Sequence, residues 1–291
     1  MSYLYYPGCS LEGTGRDCQE SFFAVCSALN IDIEELDEWQ CCGSSVAKSF
    51  DKELAEALPS KTLINANKQN PDSDLVMLCP ACSLNHQLRI LEARDEASLK
   101  NELSISRVPE VKQFIEVLAF DTNAEDVKEK LTISLRGIRA LPYYGCLIAR
   151  PRKLHGTESH ERPTVLEDLI RLTGADPIDF TYKTDCCGGT LILSREKIAL
   201  RMCGELLKEA KAAKPDCIVV SCPLCHLILD AKQKVVEKEI GEKIGIPVLY
   251  ITQLLGIAMG LNDKDLGIQR LVTPPKGLLN KINKNSVRNP I

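Results

Sequence analysis

A chain of 291 residues, 44% hydrophobic and 26% charged, has the length and composition of one large or two ordinary globular domains. Its net charge of −4 gives no support to a nucleic acid or an anionic membrane as main partner. Fourteen cysteines, behind an opening MSYLYYPGCS that lacks a basic and apolar leader, point to the cytoplasm, where clustered cysteines mean metal or redox chemistry more than disulfides.

In chain order, Tyr3 to Tyr6 is a short β-rich run that breaks at Pro7-Gly8 into Cys9. CQESFFAVCSALN has helical composition and spacing. DEWQCCGSSVAK then sets Cys41 and Cys42 side by side, followed by Gly43. KELAEALPSKTLINANKQ reads as a second helix, which Pro59 is expected to kink or interrupt. Asp74 to Leu78 is another β-rich run, and it ends in the C-P-A-C of Cys79 and Cys82. The same landmarks then recur. LPYYGCL places Cys146 where LYYPGCS placed Cys9, and PTVLEDLIRLTG and REKIALRMCGELLKEAKAAK supply the matching helices. KTDCCGG carries Cys186, Cys187, Gly188 and Gly189, and DCIVVSCPLCHLIL carries Cys222 and Cys225. The spacings are C-x31-CC-x36-C-x2-C and C-x39-CC-x34-C-x2-C.

Strands alternating with helices imply parallel βαβ units, whose sites lie at the carboxyl ends of the strands. Two similar α/β domains are therefore expected, spanning 1–130 and 131–291 and joined near residues 121 to 136. The apolar window IPVLYITQLLGIAMG is shorter than the roughly 18 residues of a spanning helix and contains Thr252 and Gln253. The basic end, PKGLLNKINKNSVRNPI, reads as a solvated or partner-docking tail.

The chemistry turns on the count of thiolates. A structural zinc or a cubane iron–sulfur cluster takes four ligands, and each half supplies five. In one half the fifth could be a buried packing thiol, but the same surplus twice weighs against it. Adjacent cysteines chelate one metal poorly, whereas on a glycine-opened turn they can reach different irons of one cluster. Two other readings stand beside this one. C-P-x-C after an apolar strand also presents thioredoxin-like dithiols, and a zinc-stabilised interaction protein would use four of the five cysteines. Cys18, Cys26, Cys203 and Cys217 fall outside the repeat and read as packing thiols. His86 and His226 lie near the ligands, where contact with a cluster or protonation of a product thiolate is one reading and a surface or capping role at least its equal, while His155 and His160 fall in a polar loop and receive no role. No dinucleotide fingerprint follows a strand, LEGTGRD being too short a match, so the chain is expected to need a partner as electron donor.

From Tyr3 to about Leu261 the doubled pattern of Cys9, Cys41-Cys42-Gly43, Cys79-Pro80-Ala81-Cys82 and Cys146, Cys186-Cys187-Gly188, Cys222-Pro223-Leu224-Cys225 is similar to the cysteine-rich CCG domains of the B subunit of heterodisulfide reductase. The resemblance implies two Rossmann-like halves, each holding a noncubane [4Fe-4S] cluster on its five cysteines. It implies a disulfide lodged between the clusters and cleaved by one electron from each. Partners would be the ferredoxin-like iron–sulfur C subunit and the flavoprotein A subunit of the same complex. CCG domains also occur in electron-transfer subunits of lactate, glycolate and succinate oxidoreductases, which is the alternative setting. Backbone N–H groups of Gly43, Gly188 and Gly189 are candidate donors to cluster sulfurs. Delivery to both sulfurs of one disulfide would place Cys41, Cys42, Cys186 and Cys187 around one cavity, with clusters about 10 Å apart.

Overall fold

Tyr3, Leu4, Tyr5 and Tyr6 are all buried, a run that only a strand covered on both faces satisfies. In the computed structural model, which describes residues 2–149 and 162–288, they form β1 (Ser2–Tyr6). β1 is followed by β2 (Asp32–Glu35), β3 (Asp74–Met77) and β4 (Val111–Gln113). The second half repeats the set as β5 (Arg139–Tyr143), β6 (Asp176–Pro177), β7 (Cys217–Val220) and β8 (Val248–Tyr250). Two four-stranded sheets result, ordered β2-β1-β3-β4 and β6-β5-β7-β8, and every pairing is parallel. This is an α/β fold consistent with internal duplication.

The alternation of a strand divides the first sheet between two cores. Tyr3, Tyr5, Val76 and Leu78 point into a large cluster that also takes Leu141, Tyr143, Val219 and Leu254 from the second half. Leu4, Tyr6, Leu75 and Met77 point into a smaller cluster of first-half residues, against which Leu147 packs. Helix Arg16–Ala28 lies along helix Ile251–Ala258, with Ser21 Oγ 2.7 Å from Thr252 Oγ1 in the buried seam.

Two segments differ from the sequence reading, and a third adds to it. Pro59 lies inside helix Lys52–Gln69 without ending it. The Asp51 carboxylate caps that helix by accepting from the Leu54 N–H at 3.1 Å. The C-terminal segment is a helix, Lys276–Arg288, and not a free tail. Leu278 and Ile282 are buried in the large core, and Lys281 pairs with Asp216 at 2.6 Å. An apolar pair four residues apart was enough to dock a segment that is basic overall. The joining segment is also structured: it contains helix Ala124–Glu129, and the N–H groups of Thr132 and Ile133 both donate to the Ala258 carbonyl. Among the described residues no helix is long and apolar enough to cross a membrane, and IPVLYITQLLGIAMG supplies β8 and a buried helix.

Candidate metal centres

In each sheet the chain leaves the first strand in one direction to β2 or β6 and in the other to β3 or β7, so the order reverses between β1 and β3 and between β5 and β7. A crevice opens at such switch points outside the carboxyl ends of the strands. The cysteines emerge there. Cys9 follows β1, Cys79 and Cys82 follow β3, and Cys41 and Cys42 lie on the loop after β2. Cys146, Cys222, Cys225, Cys186 and Cys187 occupy the matching places after β5, β7 and β6.

Within each half the thiols form a chain of contacts. Cys41 Sγ lies 3.8 Å from Cys9 Sγ, and Cys42 Sγ 3.3 Å from Cys82 Sγ. In the second half Cys187 Sγ lies 3.5 Å from Cys225 Sγ, and the Cys225 N–H donates to Cys222 Sγ at 3.5 Å. Among the described residues no three Cys, His, Asp or Glu side chains converge on a single-ion position. The electrostatics repeat as well. The close thiol pairing holds Cys42 and Cys187 below the ordinary range and drives their partners Cys82 and Cys225 well above it. Cys79, accepting from Cys82 and from nearby backbone N–H groups, falls to about 7 despite burial. Burial and the neighbouring Cys41 raise Cys9, whereas Cys146 is raised first by its hydrogen bond with Cys186 and then by burial.

The backbone around the adjacent cysteines is built by glycine. Gly188 N–H donates to Cys186 Sγ and Gly189 N–H to Cys187 Sγ, each at 3.4 Å. In the first half the donor seen at Cys42 Sγ is Ser44 N–H, also at 3.4 Å. Gly43 serves the turn instead: its φ is +81°, and a Cβ there would lie 2.5 Å from that of Ala47.

Several supporting residues escaped the sequence reading. Gly8 and Gly145, just before Cys9 and Cys146, both have φ of +68°, and a Cβ on either would press on a cysteine of the C-P-x-C, Cys82 Sγ at 3.2 Å or Cys225 Sγ at 2.8 Å. Tyr6 Oη donates to the Gln40 carbonyl at 2.5 Å and Tyr143 Oη to the Asp185 carbonyl at 2.6 Å, each fixing the residue before a cysteine pair. The signal was present as Y-x-G-C in both halves. Asn85, with no amide counterpart in the second half, ties down the first cysteine loop by donating to the Cys42 and Ser44 carbonyls at 2.9 and 2.8 Å.

The two sets are brought together crosswise. Helix Gly8–Glu12, which carries Cys9, contacts helix Pro223–His226, which carries Cys225. Helix Pro80–Glu92, which carries Cys82, contacts helix Cys146–Ala149. Exchanging the halves turns one contact into the other, as a pseudo-twofold axis requires. A cavity beside the second set is lined by Cys146, Cys186, Cys187 and Cys225 and, from the first half, by Pro80. Cys41 and Cys42 do not line it, so this cavity is not the common one expected for all four paired cysteines.

The remaining candidates are internal. Cys18, Cys26, Cys203 and Cys217 are buried, and Cys26 and Cys203 sit on helices packed into the large core. His86 and His226 are buried too, which removes the surface reading. His86 Nδ1 lies 2.7 Å from the Cys82 carbonyl, and burial depresses its pKa to about 4. His226 stacks on Tyr250, with Nε2 3.1 Å from the Val248 carbonyl. His155 and His160 lie outside the described residues.

The chain is 30% identical over 277 residues to the 8-methylmenaquinol:fumarate reductase membrane anchor subunit of Wolinella succinogenes, covering 93% of this chain and 96% of that one. It is 32% identical to the B subunit of the ferredoxin:CoB-CoM heterodisulfide reductase of Methanosarcina mazei, over 83% and 84% of the two chains. With an Archaeoglobus profundus protein described as like the B subunit of heterodisulfide reductase it shares 27% identity over 98% and 99%. A crystal structure of a hypothetical protein from Helicobacter pylori shares the fold, with a TM-score of 0.71 at 12% identity over 94% of this chain. This chain spans about half, 52%, of that longer one. The model of the CCG cysteine-rich domain matches residues 3–87 and again 140–230, and the chain therefore belongs to the CCG cysteine-rich domain family, with the domain present twice.

Proposed function

We propose that this chain is the disulfide-handling subunit of a heterodisulfide reductase-like complex, with one noncubane [4Fe-4S] cluster in each half. Cys9, Cys41, Cys42, Cys79 and Cys82 would hold one cluster, and Cys146, Cys186, Cys187, Cys222 and Cys225 the other. The observation that carries this reading is the crosswise packing of the helices that bear the two five-cysteine sets. The donor set suits iron and sulfide: soft thiolates, N–H donors at their sulfurs, and glycines where a side chain would fill the space.

When bound, the two clusters would supply one electron to each sulfur, so that a disulfide, two electrons and two protons give two thiols with no free thiyl radical. The protein's own part is positional. Tyr6 and Tyr143 hold the paired-cysteine loops, and the left-handed glycines let the C-P-x-C thiols approach the first cysteine. Burial of Cys42, Cys79, Cys82, Cys187, Cys222 and Cys225 keeps water from those six ligands, while Cys9 and Cys41 stay exposed. Electrons would come from a ferredoxin-like iron–sulfur subunit and a flavoprotein of the same complex, in the cytoplasm, with residues 1–130 and 131–291 as the two units.

A second reading is favoured by the fumarate reductase relative, which matches nearly end to end. On it the same clusters pass electrons within an organic-acid oxidoreductase and no disulfide is touched. Anaerobic purification separates the possibilities, with a brown protein of about eight irons per chain expected. Cys42→Ser and Cys187→Ser should each alter the spectrum of one half. The assembled complex should oxidise a reduced viologen dye when given a disulfide. A colourless, zinc-rich and folded protein would sink the cluster reading. Iron-loaded complex that passes electrons to fumarate and ignores disulfides would establish the second reading.

A further inference from the structure

The two centres share a plan but not their surroundings. Beside the second set lies a nearly buried ion pair between Lys183 and Glu167, whose side chains are 11% and 9% exposed. Glu167 also accepts from the Tyr144 hydroxyl, which in turn accepts from the Leu166 N–H at 2.8 Å. Lys183 Nζ donates in addition to the Pro163 carbonyl at 2.8 Å. The Lys183 carbonyl accepts from the N–H groups of Tyr144 and Gly145 at 2.8 and 3.1 Å, immediately before Cys146. Lys183 itself stands three residues before Cys186, and Tyr144 lines the cavity that the second set borders.

The first half has no equivalent of this arrangement. Aligned on Cys9 and Cys146, Tyr144 corresponds to Pro7, which has neither a hydroxyl nor an N–H. Aligned on the cysteine pairs, Lys183 corresponds to Glu38, a residue of opposite charge that is exposed. Duplication alone would have left the halves alike. An ion pair taken out of water carries a desolvation cost that its mutual attraction offsets only with good geometry and added hydrogen bonds, so its construction on one side only points to a local role.

We infer that Lys183, held by Glu167 and Tyr144, is a positioning residue that fixes the Cys146 and Cys186 loops together and sets the charge beside the second centre, making it electronically distinct from the first. This rests on the cluster reading above. A fixed cation close to an iron–sulfur centre stabilises its reduced form, and an unpaired carboxylate does the reverse. Lys183→Met therefore leaves Glu167 as net negative charge and lowers the second centre's midpoint potential. Glu167→Gln leaves Lys183 as net positive charge and raises it. The double variant returns towards the wild type.

The test is an anaerobic redox titration of the full chain, followed by electron paramagnetic resonance, with iron measured on each sample. The signal altered by Cys187→Ser marks the second centre, and Lys48→Met, which breaks an exposed first-half ion pair, is the control. Expected are opposite displacements for Lys183→Met and Glu167→Gln, each roughly tenfold in the second centre's ratio of oxidised to reduced form at the wild-type midpoint. The first centre should stay unmoved, and Lys183→Arg should restore wild-type behaviour. Displacement in the same direction, no displacement with iron retained, or equal iron loss in all variants including Lys183→Arg would overturn the assignment. Iron-free wild-type protein would instead remove the cluster reading itself, and this inference with it.

Discussion

A methyl group on Gly145 would sit 2.8 Å from Cys225 Sγ on a backbone already at φ +68°. Both the left-handed conformation and the overlap count against it, the first alone by about 1–2 kcal/mol. Gly145→Ala should therefore lose iron from the second half with a modest drop in melting temperature, as metal analysis and thermal unfolding would show. Burial gives the opposite prediction for the thiols outside the repeat. The Cys217 thiol is pushed up to about 12, so it stays protonated and closed to alkylation at pH 8 until the chain unfolds. Mass spectrometry after treatment with iodoacetamide, native and in urea, checks this. His86 supplies a pH dependence. Its ring is buried neutral with a pKa near 4, against an ordinary value near 6.5. The unfolded state alone takes up the proton as pH falls below about 6.5, so stability is complete above that pH and is lost towards pH 4, by up to about 3 kcal/mol. Urea midpoints between pH 7 and 5 should fall more steeply for the wild type than for His86→Leu. The gathering of the cysteines in each half was legible because residue type and order repeat, as do the adjacent pair and the C-x2-C, although the longer spacings differ. Tyr6 and Tyr143 were missed because their hydroxyls act on carbonyls 34 and 42 residues away, a relation no local pattern records.

At the scale of elements, strands flanked by cysteines were legible, since β1 and β3 are short apolar runs bounded by turn residues. β2 was not, because Asp32–Glu35 is polar and mostly exposed at the edge of its sheet. The helix at Lys52–Gln69 matches its sequence span in spite of Pro59, tertiary packing having outweighed the missing N–H. The C-terminal helix shows the reverse failure. Its basic composition masked Leu278 and Ile282, whose spacing puts both on one face. Leu278→Ala should cost about 2–4 kcal/mol, read as a lowered denaturant midpoint, while leaving the iron content of both halves intact. Loss of iron in that variant would mean that the helix supports a centre and does more than close the core.

At the scale of the whole molecule, the repeat suggests two domains that could part, but the distribution of apolar side chains argues for one unfolding unit. Tyr3, Tyr5, Phe22, Val76 and Phe114 of the first half share a continuous cluster with Tyr143, Ile218, Leu249 and Leu254 of the second. Fully burying such a side chain is worth about 1.5–3 kcal/mol, so exposing even a few of them would cost a large share of the roughly 5–15 kcal/mol that typically separates folded from unfolded domains. The helix pair Arg16–Ala28 and Ile251–Ala258 and the crossed cysteine helices lie along the same seam, so the surface that unites the halves also positions the centres. The full chain should therefore unfold in one calorimetric transition whose van't Hoff and calorimetric enthalpies agree, provided the unfolding is reversible. Residues 1–130 and 131–291 expressed apart should each fail to unfold cooperatively, and should recover iron binding only when mixed. Two separate transitions, or a first half that folds and loads iron alone, would show that the seam is a docking surface between independent domains and that the centres are not built together.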